Sequence, residues 1–310
     1  MLLAAGLLAL LALALAWPVP VLLAGARWPA RSPALGLLAW SSIALAGGLS
    51  MIGALATFGL APFGEDLVRG LLSFAQHLAA GTLPVQAHFW QLFALSGAIL
   101  LGVHLLLNLA LTAVRTERAR RRHAALLALL SSPHPELERT RLLDSDAPLA
   151  YCLPGAIRSL TVLSAGLVDV LTPAQLDSVI EHERAHARQR HDLVLVAFQA
   201  WRAALPWFPV ARLSARSVAL LVEFLADDRA QRRTGVQPLR EAIALVAERL
   251  PAVPVPAAPS GREHSADAAA VRLLRIGTPA LPRTASGAVI TGSIALLVVP
   301  TALLLAPLLR

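Results

Sequence analysis

Four long apolar runs constrain this chain more than any other feature. Residues 1–24, 34–61, 89–114 and 287–309 contain no aspartate, glutamate, lysine or arginine. Each is long enough to cross a hydrocarbon layer of about 30 Å. A single segment in that layer must satisfy its own backbone N–H and C=O groups, so each run is expected to be a helix. The whole 310-residue chain agrees: it is 56% hydrophobic, 15% charged and has a mean hydropathy of +0.65. That is too apolar for an ordinary soluble domain.

For residues 1–24 the alternative is a secretory signal peptide, since Ala24-Gly25-Ala26 resembles a cleavage site. No basic residue precedes the run, however, so the positive n-region is missing. The run 34–61 is rich in Gly, Ala and Ser, which suits close helix packing. Residues 62–88 carry Glu65, Asp66 and Arg69, and their apolar residues from Leu67 to Ala79 recur with a helical period. They read as an amphipathic helix on the membrane surface or as a plain connecting helix. In the third run His104 and Asn108 are one turn apart. They form either a polar site within the membrane or, the preferred reading, a hydrogen bond to a neighbouring helix. Pro300 and Pro307 in the last run are tolerable in a membrane helix.

Arginine sets the expected orientation. The net charge is +8 and there is no lysine. Basic loops stay on the cytoplasmic side. The loop with Arg27 and Arg31 therefore goes inside, the acidic stretch 62–88 outside, and the cluster Arg115–His123, a strong stop-transfer signal, inside. The expected localisation is the cell membrane, multi-pass, with the N-terminus outside, residues 115–286 cytoplasmic and the C-terminus outside. Nucleic-acid binding through Arg115–Arg122 is the least favoured reading, because no recognition motif accompanies the charge. The single cysteine, Cys152, excludes an intramolecular disulfide and a thiolate zinc cluster.

The chemistry centres on His182-Glu183-Arg184-Ala185-His186. On a helix His182 and His186 share one face and can grip one Zn²⁺. Glu183, about 100° round, can take a proton from the attacking water. Two histidines on a surface helix by chance are the alternative. Thr172-Pro173-Ala174-Gln175 is a helix start with a capping box. Before it, Ala150–Pro154 and Ser159–Ser164 read as short strands joined by a Gly-containing turn, with Gly166 closing the second. An exposed strand there could pair with an extended peptide.

Zinc needs a third protein ligand. A third histidine in the metzincin pattern would require glycine at 189 and histidine at 192, where Gln189 and Asp192 stand; His191 is one residue out of phase. Glu223 is the candidate instead. It is a charge inside the apolar run Leu220–Leu225, where a charge needs a partner. Asp227, one turn on, can accept a hydrogen bond from a ligand histidine. If His186 and Glu223 share a metal, Leu193–Pro209 cannot cross the bilayer. Residues 187–205 and 210–232 must then form an antiparallel helical hairpin turning at Pro206–Pro209, with Trp201, Trp207 and Phe208 at the membrane interface or in a plain hydrophobic core. Arg229, Arg232 and His191 are candidates for stabilising an oxyanion, with none assigned.

These stretches resemble the membrane-embedded gluzincins of the BlaR/MecR type, the beta-lactam sensor-transducer metallopeptidases, and more distantly CAAX-prenyl-protease-type enzymes. The resemblance rests on Ser164–Leu167, His182–His186 with Arg190-His191-Asp192, Trp207-Phe208-Pro209 and Glu223–Asp227, and covers about residues 110–310. It implies Zn²⁺ on His182, His186 and Glu223, Glu183 as general base and Asp227 in support. It also implies a cytoplasmic protein substrate, in that family often a transcriptional repressor or the protein itself. The sensors carry an extracellular domain after their last span, and this sequence ends at Arg310. Direct beta-lactam sensing is therefore not expected, and the signal is expected from a membrane partner, from the 62–88 loop or from the bilayer.

The expected fold class is mainly α: a polytopic membrane protein with about four transmembrane helices and a cytoplasmic zincin-like α+β protease domain carrying a small β-sheet. The expected organisation is three transmembrane helices in 1–114, a zinc peptidase domain in 115–249, a Pro-rich linker with a short helix at Ala266–Ile276 in 250–286, and a last transmembrane helix in 287–310. The competing function is a non-proteolytic membrane signalling or scaffold protein with a structural metal site.

Overall fold

The computed structural model describes residues 1–82, 87–134, 137, 140–153, 160–249 and 266–305. Pro154, Ser159 and the turn between them, Pro251–Pro259, Pro307 and Arg310 lie outside these residues. The chain is mostly helical with one small mixed sheet. Four of its helical segments are long and apolar enough to span a membrane: Leu2–Gly25, Pro33–Leu60, Phe89–Leu130 and Arg283–Leu305.

The first segment is two helices, α1 (Leu2–Ala16) and α2 (Pro18–Gly25), broken at Trp17. Pro18 and Pro20 explain the break. Proline lacks an N–H and clashes with the preceding turn, yet its fixed φ suits the first position of a new helix. A short α3 (Trp28–Arg31) leads into α4 (Pro33–Leu60). The amphipathic stretch forms α5 (Leu67–Ala80). Buried Asp66 caps it by accepting from the Arg69 N–H at 2.8 Å, and Gly81 ends it at φ 65°. Phe74 packs with Leu60, Phe63 and Leu95, while Val68, Leu71, Leu72 and Leu78 stay exposed.

The third apolar run begins α6 (Phe89–Leu130), which does not stop at the arginine cluster. At about 1.5 Å per residue, its 42 residues reach about 63 Å, twice the thickness of a hydrocarbon core. Sequence periodicity had no reason to end the helix at Val114, since arginine is a good helix former. His104 Nε2 donates to the Ala204 carbonyl at 3.0 Å, so it reaches a neighbouring helix.

Four short strands follow: β1 (Ser131–Pro133), β2 (Thr140–Leu143), β3 (Ala150–Leu153) and β4 (Leu160–Ser164), in the order β1-β2-β4-β3. β2 runs parallel to β4, and the other pairs are antiparallel. β1 and β2 have no two-residue alternation, so local sequence does not mark them as strands. β3 stands at the sheet edge. Ser164 caps α7 (Ala165–Val170), and its hydroxyl also accepts from the Leu149 N–H at 2.8 Å.

The helices α8 (Pro173–Arg188), α9 (His191–Ala204), α10 (Pro209–Thr234) and α11 (Val236–Arg249) come next, then α12 (Ala266–Arg275) and α13 (Arg283–Leu305). Helices α9 and α10 form the hairpin, turning at Leu205–Phe208 with Trp207 75% exposed. The extended end of α6 is tied to this block. Arg120 pairs with Asp192 at 3.0 Å, and His123 Nε2 lies 2.9 Å from the Tyr151 hydroxyl on β3.

Two cores hold these helices. One joins β4, α7, α8 and α11 through Leu163, Leu167, Leu171, Ile180 and Ala242. The other joins α4 to the hairpin, with Trp40 and Ile43 against Leu195, Phe198, Leu221, Val222 and Phe224. The close approach depends on Gly36. A Cβ there would lie 2.9 Å from Pro29 Cβ and 3.0 Å from Leu221 Cδ1. Gly36→Leu should overpack this contact and cost about 1–3 kcal/mol. Gly6→Leu, whose Cβ meets nothing within 4 Å, should be neutral. Thermal melting in detergent checks both, and equal melting temperatures for the two variants would contradict this packing.

Candidate metal centre

Helix α8 is anchored through its first two turns. Thr172 and Gln175 form the capping box at its start. The Gln175 side chain then donates to Glu241 on α11 at 2.9 Å, and Ser178 donates to Thr234 on α10 at 2.7 Å. With that face held, His182, Glu183 and His186 are all buried. Helix α10 runs alongside and brings Glu223 to the two histidines.

His182 Nε2 and His186 Nε2 are 3.2 Å apart. The Glu223 carboxylate lies 3.3 Å from His182 Nε2 and 3.5 Å from His186 Nε2. Tetrahedral zinc with ligands at about 2.05 Å needs donor separations of about 3.3 Å. The triangle fits such an ion, and the donor set of two imidazoles and one carboxylate is one that zinc uses. Glu223 Oε1 is buried and accepts no hydrogen bond among the described residues, which leaves a lone pair for a metal.

Asp227 is fully buried, and its Oδ1 lies 2.9 Å from His182 Nδ1. A carboxylate on Nδ1 leaves Nε2 as the metal-facing nitrogen. Arg272 on α12 grips the same carboxylate with two bonds, Nε to Oδ2 at 2.9 Å and Nη2 to Oδ1 at 2.6 Å, and lies 3.5 Å from Glu223 Oε2. Beside it Arg275 bonds Asp228 at 2.7 Å and the Phe224 carbonyl, with its guanidinium 5.0 Å over the Phe224 ring.

These contacts decide the charges. For Glu223, burial favours the neutral form, but the His186 charge, the His182 hydrogen bond and Arg272 outweigh it and hold the carboxyl well below its ordinary range. Asp227 is lowered the same way: burial opposes ionisation, and Arg272 and His182 overcome it. For His182, burial and Arg272 act downward, while hydrogen bonds to Asp227 and Glu223 prevail and lift it to about 9. A metal must displace that proton, so metal binding here is coupled to proton release.

Glu183 lies on the same helix, and its Oε2 accepts the Cys152 N–H of edge strand β3 at 3.2 Å. This places its carboxylate between the donor triangle and the sheet edge. His191 is buried too, but its Nδ1 faces His186 Nδ1 at 3.0 Å, on the side of that ring away from Glu223. Arg229 and Arg232 are six and nine residues after Glu223, about 120° and 180° round the helix. The structure does not bring either onto the metal-facing side, and Arg232 is exposed.

Sequence reasoning missed Arg272, Arg275 and the placement of His191 behind His186. A usable signal was present for the arginines: two consecutive aspartates on an apolar helix, and two arginines three apart on a short amphipathic one.

The two histidines and Glu223 could hold a metal ion. Residues 113–286, more than half of the chain, match Peptidase family M48, and the chain belongs to that family of zinc metallopeptidases. No curated protein and no solved structure matches it.

Arg272→Leu should leave Asp227 without its bidentate partner and destabilise the protein by about 3 kcal/mol. It should also weaken zinc binding by about 10–100-fold, because His182 loses its fixed support. Arg272→Lys should recover only part of either, since an ammonium lacks the planar fork. Thermal melts and chelator competition measure the two effects. Wild-type zinc affinity in Arg272→Leu would contradict this role.

Proposed function

We propose that this chain is a membrane-embedded zinc endopeptidase that cleaves a cytoplasmic protein in a signalling role. The observation that carries the reading is the donor triangle of His182, His186 and Glu223 at zinc spacing, with Glu183 beside it. In this reading the two histidines and Glu223 hold Zn²⁺, and Asp227 orients His182. Zinc held there would supply Lewis acidity, polarising the scissile carbonyl and acidifying the attacking water. Glu183 takes the proton from that water and passes it to the leaving amine. The edge of β3 offers a place for an extended substrate: the Cys152 N–H points away from β4, and a peptide laid along that edge would pass Glu183.

The finer assignment is to the BlaR/MecR type, with a repressor or the chain itself as substrate and a membrane partner as the source of the signal. It rests on the Ser164–Leu167, Arg190–Asp192 and Trp207–Pro209 stretches and on four apolar segments, three of which pack against the α9–α10 hairpin while α13 packs on α4. The orientation rests on arginine: Arg27, Arg31 and the 115–122 cluster inside, 62–88 outside, and both termini outside.

Glu183→Gln should retain zinc and lose about 10²–10⁴-fold in peptide hydrolysis, read with purified protein and a casein or repressor substrate. Full hydrolysis by that variant would remove the proposed mechanism. Zinc bound, but no hydrolysis in wild type or variant, would favour a structural metal in a scaffold. For sidedness, a membrane-impermeant maleimide should label Thr82→Cys in intact cells and Arg115→Cys only after lysis. The reverse pattern would invert the orientation.

A further inference from the structure

His182 has a carboxylate behind it. His186, the other candidate ligand on α8, has another histidine. His191 Nδ1 lies 3.0 Å from His186 Nδ1, and His191 Nε2 lies 2.9 Å from Gln189 Oε1. The rings of His186 and His191 meet edge to face, 5.0 Å between centroids and 86° between planes. Both histidines are about 95% or more buried, at 5% and 3% exposure.

We infer that Gln189 and His191 form a neutral relay that fixes the tautomer of His186, so that His191 is a positioning residue for the metal site. This rests on the zinc reading above. An amide oxygen only accepts, so His191 carries its proton on Nε2 and donates it to Gln189. His191 Nδ1 is then a bare acceptor. His186 must donate from its own Nδ1, which leaves the lone pair of His186 Nε2 facing Glu223 and the other histidine. The opposite polarity, with the Gln189 amide nitrogen donating, would run the chain backwards and put a proton on His186 Nε2, where a metal cannot bind. Only one polarity of the relay is compatible with a metal.

The backbone is shaped to bring these groups together. Arg190, between Gln189 and His191, has φ 48° and ψ 42°, the one positive-φ residue other than glycine among the described residues. A non-glycine residue in this region is held there by its surroundings. The left-handed step ends α8 at Gln189 and starts α9 at His191, folding the His191 ring back beneath His186. A helix continued through 190 would carry residue 191 about 140° round from His186 and away from it. Gln189 is exposed, so water can replace it, and the buried His191 carries most of the effect.

The test uses the purified full-length protein, Zn²⁺ affinity by competition with a chromogenic chelator, and the visible spectrum of the Co²⁺-loaded form. His191→Phe keeps a ring of similar size but offers no acceptor. It should bind Zn²⁺ about 10–100-fold more weakly. His191→Asp restores an acceptor, now charged. It should return the affinity to within a few-fold of wild type and shift the cobalt bands, because His186 becomes a more basic donor. Gln189→Ala should change the affinity by only a few-fold. Wild-type affinity in His191→Phe would overturn the relay, as would equal losses in the Phe and Asp variants, which would make His191 a packing residue only. Wild type that binds no zinc would instead overturn the metal-site reading, and the relay with it.

Discussion

Two carboxylates one turn apart on a buried helix, Glu223 and Asp227, set the terms for everything around them. Burying one ionised carboxylate is expensive, and two on the same face cannot be tolerated without positive partners. The partners come from two places in sequence. His182 and His186 arrive on α8, and Arg272 arrives on α12 from beyond the Pro-rich stretch. Arg272 neutralises Asp227 with a bidentate pair, and Glu223 Oε1 accepts no hydrogen bond among the described residues. That residual demand is what a divalent cation would meet. The site is therefore one connected electrostatic unit, from Arg272 through Asp227 and His182 to Glu223.

The same helix ties this unit to the apolar bundle. One face of α10 carries the carboxylates. The opposite side, through Val218, Leu221 and Val222, packs into the core built on Trp40 and Ile43 of α4. Arg275 adds a polar tie, bonding Asp228 and also the Ala30 carbonyl at 2.8 Å. A shift of α4 against α10 would therefore act directly on the ligand-bearing helix. Helix α6 makes a second connection, carrying the third apolar run without a break to the sheet that flanks Glu183.

Much of this was legible in the sequence because it depends on local period. The spacing of His182 and His186, the capping box at Thr172 and the prolines at 206 and 209 each act within a few residues. The hairpin followed from a geometric demand: Glu223 cannot share a metal with His186 across a bilayer. The rest depends on contacts distant in sequence. Arg272 lies 45 residues after Asp227, and nothing in its own helix marks which carboxylate it meets. His191 is one residue out of phase for a metzincin third histidine, and its place beside His186 depends on the left-handed step at Arg190, which is not written in an arginine. β1 and β2 are three and four residues long, and their pairing partners decide their structure.

The zinc content of purified wild type and Glu223→Ala, determined by elemental analysis after removal of loosely bound metal, tests the shared metal site most directly. About one zinc per wild-type chain and close to none in the variant are expected, with both proteins folded. An equal zinc content in the two would separate Glu223 from the metal, and no zinc in wild type would leave the charged cluster on α8, α10 and α12 as an ion-pair network without a catalytic ion.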